Sequence, residues 1–258
     1  MIGLLLFSTF LGGGVFNASN ILLAAAVALC GMSVAFPVGV GLALVLGVLI
    51  NYFGAAKGDP LFIFLGVALI AAAIVMNGLA YRMARTGKRK LTAKGLLISV
   101  AAGTIMAFFY RFVASSMDLD SFTAPAAGKM TPYTAVVVFA TGVFVSNFLF
   151  NTIAMKCPVE GTPVRPSEYF GGTFRTHLVG MLGGAIWCLG ESFSMIASGK
   201  AGAAISYGLG QGATLVSALW GILIWKEFRG APGASVLCNA GMFVLFLAGL
   251  GLLIYAGA

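Results

Sequence analysis

The sequence predicts an all-α polytopic membrane protein with about eight transmembrane helices. Three observations carry that prediction. Of 258 residues, 60% are hydrophobic and only 9% are charged, with a mean hydropathy of +1.03, whereas soluble domains carry about 25% charge. The apolar residues fall into eight blocks, each near the ~20 residues that a bilayer-spanning helix needs. The 15 Lys and Arg, against 7 Asp and Glu, are spread unevenly among the connections. This composition excludes an ordinary soluble enzyme, a disordered chain and a nucleic-acid-binding domain.

The elements follow in order. Spans are expected at Ile2–Leu29, Ser33–Phe53, Leu61–Ala80, Ala93–Val113, Tyr133–Ile153, His177–Ser198, Ala203–Trp225 and Ala234–Ala256. The opening run MIGLLLFSTFLGGG has no basic residue before it, so it reads as the start of a span rather than a targeting peptide. Residues 16–54 form one apolar stretch, which as a single helix would be about 58 Å long. A break near Gly31–Ser33 resolves this, with Pro37 in the first turns of the next helix or kinking it; a discontinuous helix is the alternative. The segment 154–176, with Pro158, Gly161, Pro163 and Pro166, reads as a connection without secondary structure, and 115–130 as a solvated loop. Asp118 and Asp120 in that loop are too few hard ligands for a metal. Cys30, Cys157, Cys188 and Cys238 form no CxxC pair and read as small apolar residues. No metal or cofactor is expected.

With eight spans, Arg82, Arg85, Lys88, Arg89, Lys90, Lys94, Lys156, Arg165, Arg175, Lys226 and Arg229 all fall on one side, and Lys57, Arg111, Lys129 and Lys200 on the other. The positive-inside rule places the first group in the cytoplasm. The expected setting is the inner (plasma) membrane, with both termini of this chain outside.

A shift of 171 residues superposes two segments without a gap. GGGVFNASN at 12–20 falls on GGAIWCLGE at 183–191, and GVGLALV at 39–45 on GQGATLV at 210–216. Gly31 meets Gly202, Phe36 meets Tyr207 and Phe16 meets Trp187. In the expected topology the first span and the sixth run in opposite directions, so the repeat is inverted, a common plan for carriers with a central binding site. The first copy has three spans and the second five, which suggests that two helices are absent at the N-terminus.

The repeat also aligns polar groups. Asn17 and Asn20 lie one turn apart in the first span, and Asn20 superposes on Glu191, the only acidic residue well inside an expected span. A charge in hydrocarbon is costly and faces a cavity or a partner. Glu191 therefore reads as a solute-binding and proton-coupling residue, or as a structural polar contact. Tyr207, Gln211 four residues on, and Trp187 could complete a polar-aromatic cavity for a planar heterocycle or a sugar, or serve as glue between helices. The i,i+4 pair Asn147 and Asn151 has the same two readings. Asn51 and Asn77 read as structural, and His177 as interfacial with proton transfer the lesser role. Arg111 reads as snorkelling, and Lys226, Glu227 and Arg229 as a charged interfacial anchor. No GxSxG, HExxH, Walker A or Rossmann pattern is present. The NAS at 17–19 lies inside a span and is no glycosylation acceptor.

FNASNILL…AFPVGVGLALVLGVLINY and GGAIWCLGESFSMIA…ISYGLGQGATLVSALWGILIWKEFRG resemble the two halves of ureide permease-like and bacterial sugar-permease-like members of the drug/metabolite transporter superfamily. The resemblance implies ten helices in two five-helix inverted repeats, with the first two apparently absent here. The expected organisation is an incomplete first repeat at 1–82, a basic cytoplasmic linker at 83–92 and a second repeat at 93–258. The resemblance also implies movement of a small polar solute, often coupled to protons. Asn17, Asn20, Glu191, Tyr207 and Gln211 match the central helices, while Trp220, Lys226 and Glu227 match a structural signature at the end of the second repeat. The plant members have a longer central loop with a phosphate-loop-like sequence. Here RMARTGKRKLTAKG replaces it, so nucleotide binding is not carried over. The expected function is a secondary carrier of a ureide, nucleobase or sugar by alternating access, with no enzyme chemistry and no nucleic-acid partner. Dimerisation would compensate for the reduced first repeat. The alternative is a non-transporting membrane scaffold or partner subunit.

Overall fold

A computed structural model describes the chain at residues 2–84, 93–122 and 124–257. The expected basic linker lies, from Arg85 to Leu91 and Thr92, outside the described residues. Long helices are α1 (Ile2–Cys30), α4 (Pro60–Met83), α5 (Ala93–Ala114), α6 (Pro132–Lys156), α8 (Phe174–Ala201) and α11 (Gly233–Ala256). The second span is composite: α2 (Met32–Ala35), a wide π turn over Phe36–Val40, and α3 (Gly41–Gly54). Pro37 sits inside that π turn, as expected for a residue with no N–H to give to the helical ladder. Among the described residues, seven helical stretches are long and apolar enough to cross a membrane.

Two expectations are corrected. The seventh span is not one helix: α9 (Ala203–Gly210) ends at a turn over Gln211–Gly212, and α10 (Ala213–Leu223) follows. Glycines at 208, 210 and 212 make continuous helix costly there. The 154–176 connection also has structure. Helix α6 runs on to Lys156, α7 spans Pro166–Phe170, and α8 already begins at Phe174. Thr173 accepts a hydrogen bond from Thr176 N, an N-cap that draws Arg175 and His177 into α8. Likewise Asp59 caps α4 and Thr131 caps α6, each followed by a proline at the first helical position.

The helices interlock across the proposed halves. Helix α1 runs antiparallel to α5, with Ser8 Oγ donating to Phe112 O near one end and Cys30 Sγ 3.9 Å from Ser99 Oγ near the other. It runs parallel to α6, touching first at Gly13 and Gly142, then where Asn17 Nδ2 donates to Ser146 Oγ. Helix α4 packs antiparallel on α11: Asp59 N donates to Ala256 O, and Ser235 Oγ to Ala80 O. Gly199 of α8 packs against Leu119 and Phe122, just beyond the end of α5. Helix α8 therefore runs opposite to α1.

Packing is uneven. Of its apolar window, α8 buries 6% in protein, against 39% for α1. Lipid tails are as apolar as leucine, so helix association in a bilayer rests on close fit and polar ties rather than on escape from water.

Candidate functional site

The interior of the bundle is aromatic. Phe16, Phe109 and Phe139 are buried and meet one another at centroid distances of 5.1–5.7 Å. Trp187 of α8 stacks on Phe16 at 4.6 Å and 20°. These two residues are the pair that the 171-residue shift aligns. Trp187 keeps 40% of its surface open.

One turn beyond Trp187 stands Glu191. Its Oε1 is buried and finds no hydrogen-bond partner among the described residues. Three residues on in α8, Ser194 O meets the hydroxyl of Tyr110, whose ring lies 5.5 Å from that of Tyr207. Both tyrosine hydroxyls are committed elsewhere. Tyr110 donates to Ser194 O, and Tyr207 donates to Ala43 O at 3.0 Å, with Met106 O at 3.5 Å. The tyrosines therefore hold α3, α5, α8 and α9 together close to Glu191. A buried donor or acceptor without a partner costs about 1–3 kcal/mol, more for a charged group. Glu191 Oε1 is thus an orphan acceptor, with Ser206 Oγ beside Tyr207 a second buried polar atom without a partner among the described residues, and the carboxylate is suited to a proton or a solute N–H.

The structure places Trp187 and Glu191 one turn apart on α8, while Tyr207 packs against Phe109 and Tyr110 in the neighbouring aromatic cluster. Asn17 lies nearby, but its amide donates to Ser146 Oγ at 3.0 Å and to Val143 O at 3.4 Å, tying α1 to α6. Asn20, Asn147 and Asn151 stand on exposed faces of α1 and α6. Gln211 is partly buried at the turn between α9 and α10, away from regular helix. Asn51 donates to Gly47 O within its own helix, and Asn77 to Ser33 O across helices. His177 meets the Tyr169 ring edge-on at the start of α8.

Sequence reasoning misses Tyr110, Phe109 and Phe139. Aromatics inside apolar spans look the same whether they face lipid or protein. Glu227 is missed differently. Its carboxylate reaches 195 positions back to accept from Met32 N at 3.0 Å, and from Ser33 N at 2.9 Å and Ser33 Oγ. It is a helix cap rather than an interfacial anchor, and hydrogen bonds to a charged group contribute roughly 1.5–3 kcal/mol each. Asp118 organises the loop after α5. Backbone N–H groups of Ala126, Asp120 and Ser121 hold its carboxyl below the ordinary value.

Apolar helices of spanning length define a polytopic α-helical membrane protein, here with one carboxylate oxygen, Glu191 Oε1, buried without a partner among the described residues. The family model described as Ureide permease matches residues 76–256, and the chain belongs to that family, in the drug/metabolite transporter superfamily. It is therefore classed with permeases rather than enzymes. It is 24% identical over 168 residues to Ureide permease 2 of Arabidopsis thaliana, covering 65% of this chain and 42% of that protein. It is also 24% identical over 165 residues to Ureide permease 1 of the same plant, covering 64% and 42%. The chain thus spans less than half the length of these curated relatives. No solved structure matches it.

Proposed function

We propose that this chain forms the core of a secondary carrier that moves a small polar solute (a ureide, nucleobase or sugar) by alternating access, with Glu191 exchanging a proton. The observation that carries this reading is the unpartnered Glu191 Oε1 on α8, one turn from the Phe16–Trp187 stack and beside the Tyr110 and Tyr207 ties. A residue and its own repeat equivalent can touch only near the axis that relates the two copies. The Phe16–Trp187 contact and the opposed directions of α1 and α8 therefore support an inverted repeat, with 1–82 and 93–258 as its copies and solute held near the axis. The similarity to ureide permeases favours a ureide. Asn20, Asn147 and Asn151 remain proposed solute contacts, on the open faces of α1 and α6.

The ten-helix arrangement is proposed from α8. Gly12 and Gly13 of α1 pack on α5 and α6, whereas their equivalents Gly183 and Gly184 meet nothing within 4 Å. A helix pair resembling α5–α6 fits that open face. The same face favours the second reading, a subunit that works only with a partner. The orientation with basic connections in the cytoplasm follows from charge bias.

Counterflow in proteoliposomes with labelled allantoin, uracil and several sugars tests the reading. Saturable exchange of one solute is expected. Glu191→Gln is expected to keep exchange but lose proton-driven accumulation. Full accumulation in that variant overturns the coupling role. No exchange by folded, inserted protein, together with a stable complex with another polypeptide, supports the subunit reading.

A further inference from the structure

Gly31 and Gly202 lie 171 residues apart and adopt the same backbone conformation, φ 86 and ψ 165 against φ 85 and ψ 157. This region is open essentially to glycine alone. Each glycine starts a broken segment: α2, the π turn and α3 follow Gly31, and α9 and α10 follow Gly202. The two glycines stand at opposite ends of the bundle. Gly31 lies by the starts of α2 and α5, and Gly202 lies by the end of α8 and the start of α4.

A charged side chain covers each glycine. A Cβ on Gly31 would fall 2.8 Å from Glu227 Oε1, and a Cβ on Gly202 would fall 2.9 Å from the Lys57 Cβ. The signs suit the backbone groups they meet. Glu227 accepts from the free N–H groups of Met32 and Ser33 at a helix start, and Lys57 Nζ donates to Gly199 O at 2.7 Å near a helix end. The arrangement is also crosswise. Lys57 follows the segment that begins at Gly31, yet covers Gly202. Glu227 follows the segment that begins at Gly202, yet covers Gly31. In the repeat register Lys57 falls on Phe228, so the two charged residues sit one position apart.

We infer that Glu227 and Lys57 are reciprocal gate latches on two glycine hinges. Each broken segment carries a hinge at one end and a latch at the other. Tilting α9–α10 about Gly202 lifts Glu227 from Met32 and Ser33 and opens the Gly31 end. Tilting α2–α3 about Gly31 lifts Lys57 from Gly199 and opens the Gly202 end. Glycine allows either rotation without a Cβ penalty, and the latches consist of three hydrogen bonds at Glu227 and one at Lys57. The inference takes its purpose from the alternating-access reading, but its test needs no solute.

Cys30 is the reporter. It is 1% exposed and immediately precedes Gly31. In protein carrying Cys157→Ser, Cys188→Ser and Cys238→Ser, reconstituted in liposomes, the rate of maleimide labelling of Cys30 reads opening of that end. Glu227→Gln is expected to raise the rate about tenfold or more, and Lys57→Met to lower it by shifting the population toward opening the other end. General loosening of the fold moves both variants in the same direction. That result, or an unchanged rate in Glu227→Gln, overturns the latches. Opposite shifts without wild-type counterflow would instead retain the latches and remove the carrier reading. Counterflow with same-direction shifts would do the reverse.

Discussion

Helices α1 and α8 share a glycine pair and an aromatic residue at the same spacing and end in different surroundings. The shift that aligns Gly12–Gly13 with Gly183–Gly184 also aligns Phe16 with Trp187, and the helices are 29 and 28 residues long. In α1 the glycine pair admits two neighbours. A Cβ on Gly13 would fall 2.2 Å from Phe139 O, and one on Gly142 would fall 2.1 Å from Phe10 O, so α1 and α6 touch backbone to backbone. In α8 the same pair faces open space. Paired glycines in a transmembrane helix thus provide for close approach without ensuring it. What they contribute depends on whether a second helix presents a matching small residue, as α6 does with Gly142.

The largest expected contrast is at the aromatic pair. Phe16→Ala empties a site enclosed by Phe109, Phe139 and Trp187 and is expected to cost about 3 kcal/mol, the low end for a buried Phe→Ala. Trp187→Ala, on the half-open helix, is expected to cost less than half as much. Thermal unfolding in detergent measures both, and equal losses break the comparison. Gly13→Ala comes next. Its Cβ meets the backbone of Phe139 and Val143, so α1 and α6 must separate at about 1–3 kcal/mol, whereas Gly184→Ala is expected to change stability by less than about 0.5 kcal/mol. In an assembly that contains the proposed helix pair, Gly184→Ala becomes as costly as Gly13→Ala. If it stays neutral there, the pair does not pack on that face.

A smaller contrast separates Asn17 from Asn20. Asn17→Ala removes the tie to Ser146 and is expected to cost about 0.6 kcal/mol, an average for hydrogen bonds between transmembrane helices. Asn20→Ala is expected to leave unfolding unchanged and to weaken solute exchange alone. The smallest effect is at the anchored end of α8, where Gly199 rests on the loop organised by Asp118. The Asp118 carboxyl is held below its ordinary value by the Ala126, Asp120 and Ser121 N–H groups. Its contribution is therefore present above the ordinary carboxylate range and lost as pH falls through the lowered value. Amide exchange at Ala126, relative to Asp118→Asn, is expected to lose protection only in acid. Protection that is the same in both proteins at neutral pH would remove Asp118 from this role.

The spans were legible because hydrocarbon length and composition leave little choice. Expected and observed boundaries agree closely where an N-cap and a proline mark the start, as at Asp59–Pro60 and Thr131–Pro132. The boundary at Thr173 was less legible. Arg175 and His177 look like connection residues, yet the threonine cap makes them helical. Hydropathy records burial in lipid, not backbone bonding, and so passes over the turn at Gln211–Gly212 in the expected seventh span. Glu191 stood out because a lone acid in an apolar span has few explanations. Tyr110 did not, because its value lies in a neighbour 81 residues away.

By itself the sequence determined which segments are apolar, how long they are, and where helices start when an N-cap and a proline mark the place, as at Asp59–Pro60 and Thr131–Pro132. Those properties are local and follow from transfer free energy and backbone geometry. The tertiary structure decided what each segment meets. It set Phe16 against Trp187, brought two tyrosines beside the stretch of α8 that carries Glu191, and left most of α8 uncovered. It also crossed Glu227 and Lys57 onto each other's starting glycines. In a bilayer, hydrophobicity drives helices into lipid but does not choose their neighbours. That choice rests on fit between surfaces and on polar ties between residues distant in the chain, which hydropathy does not record.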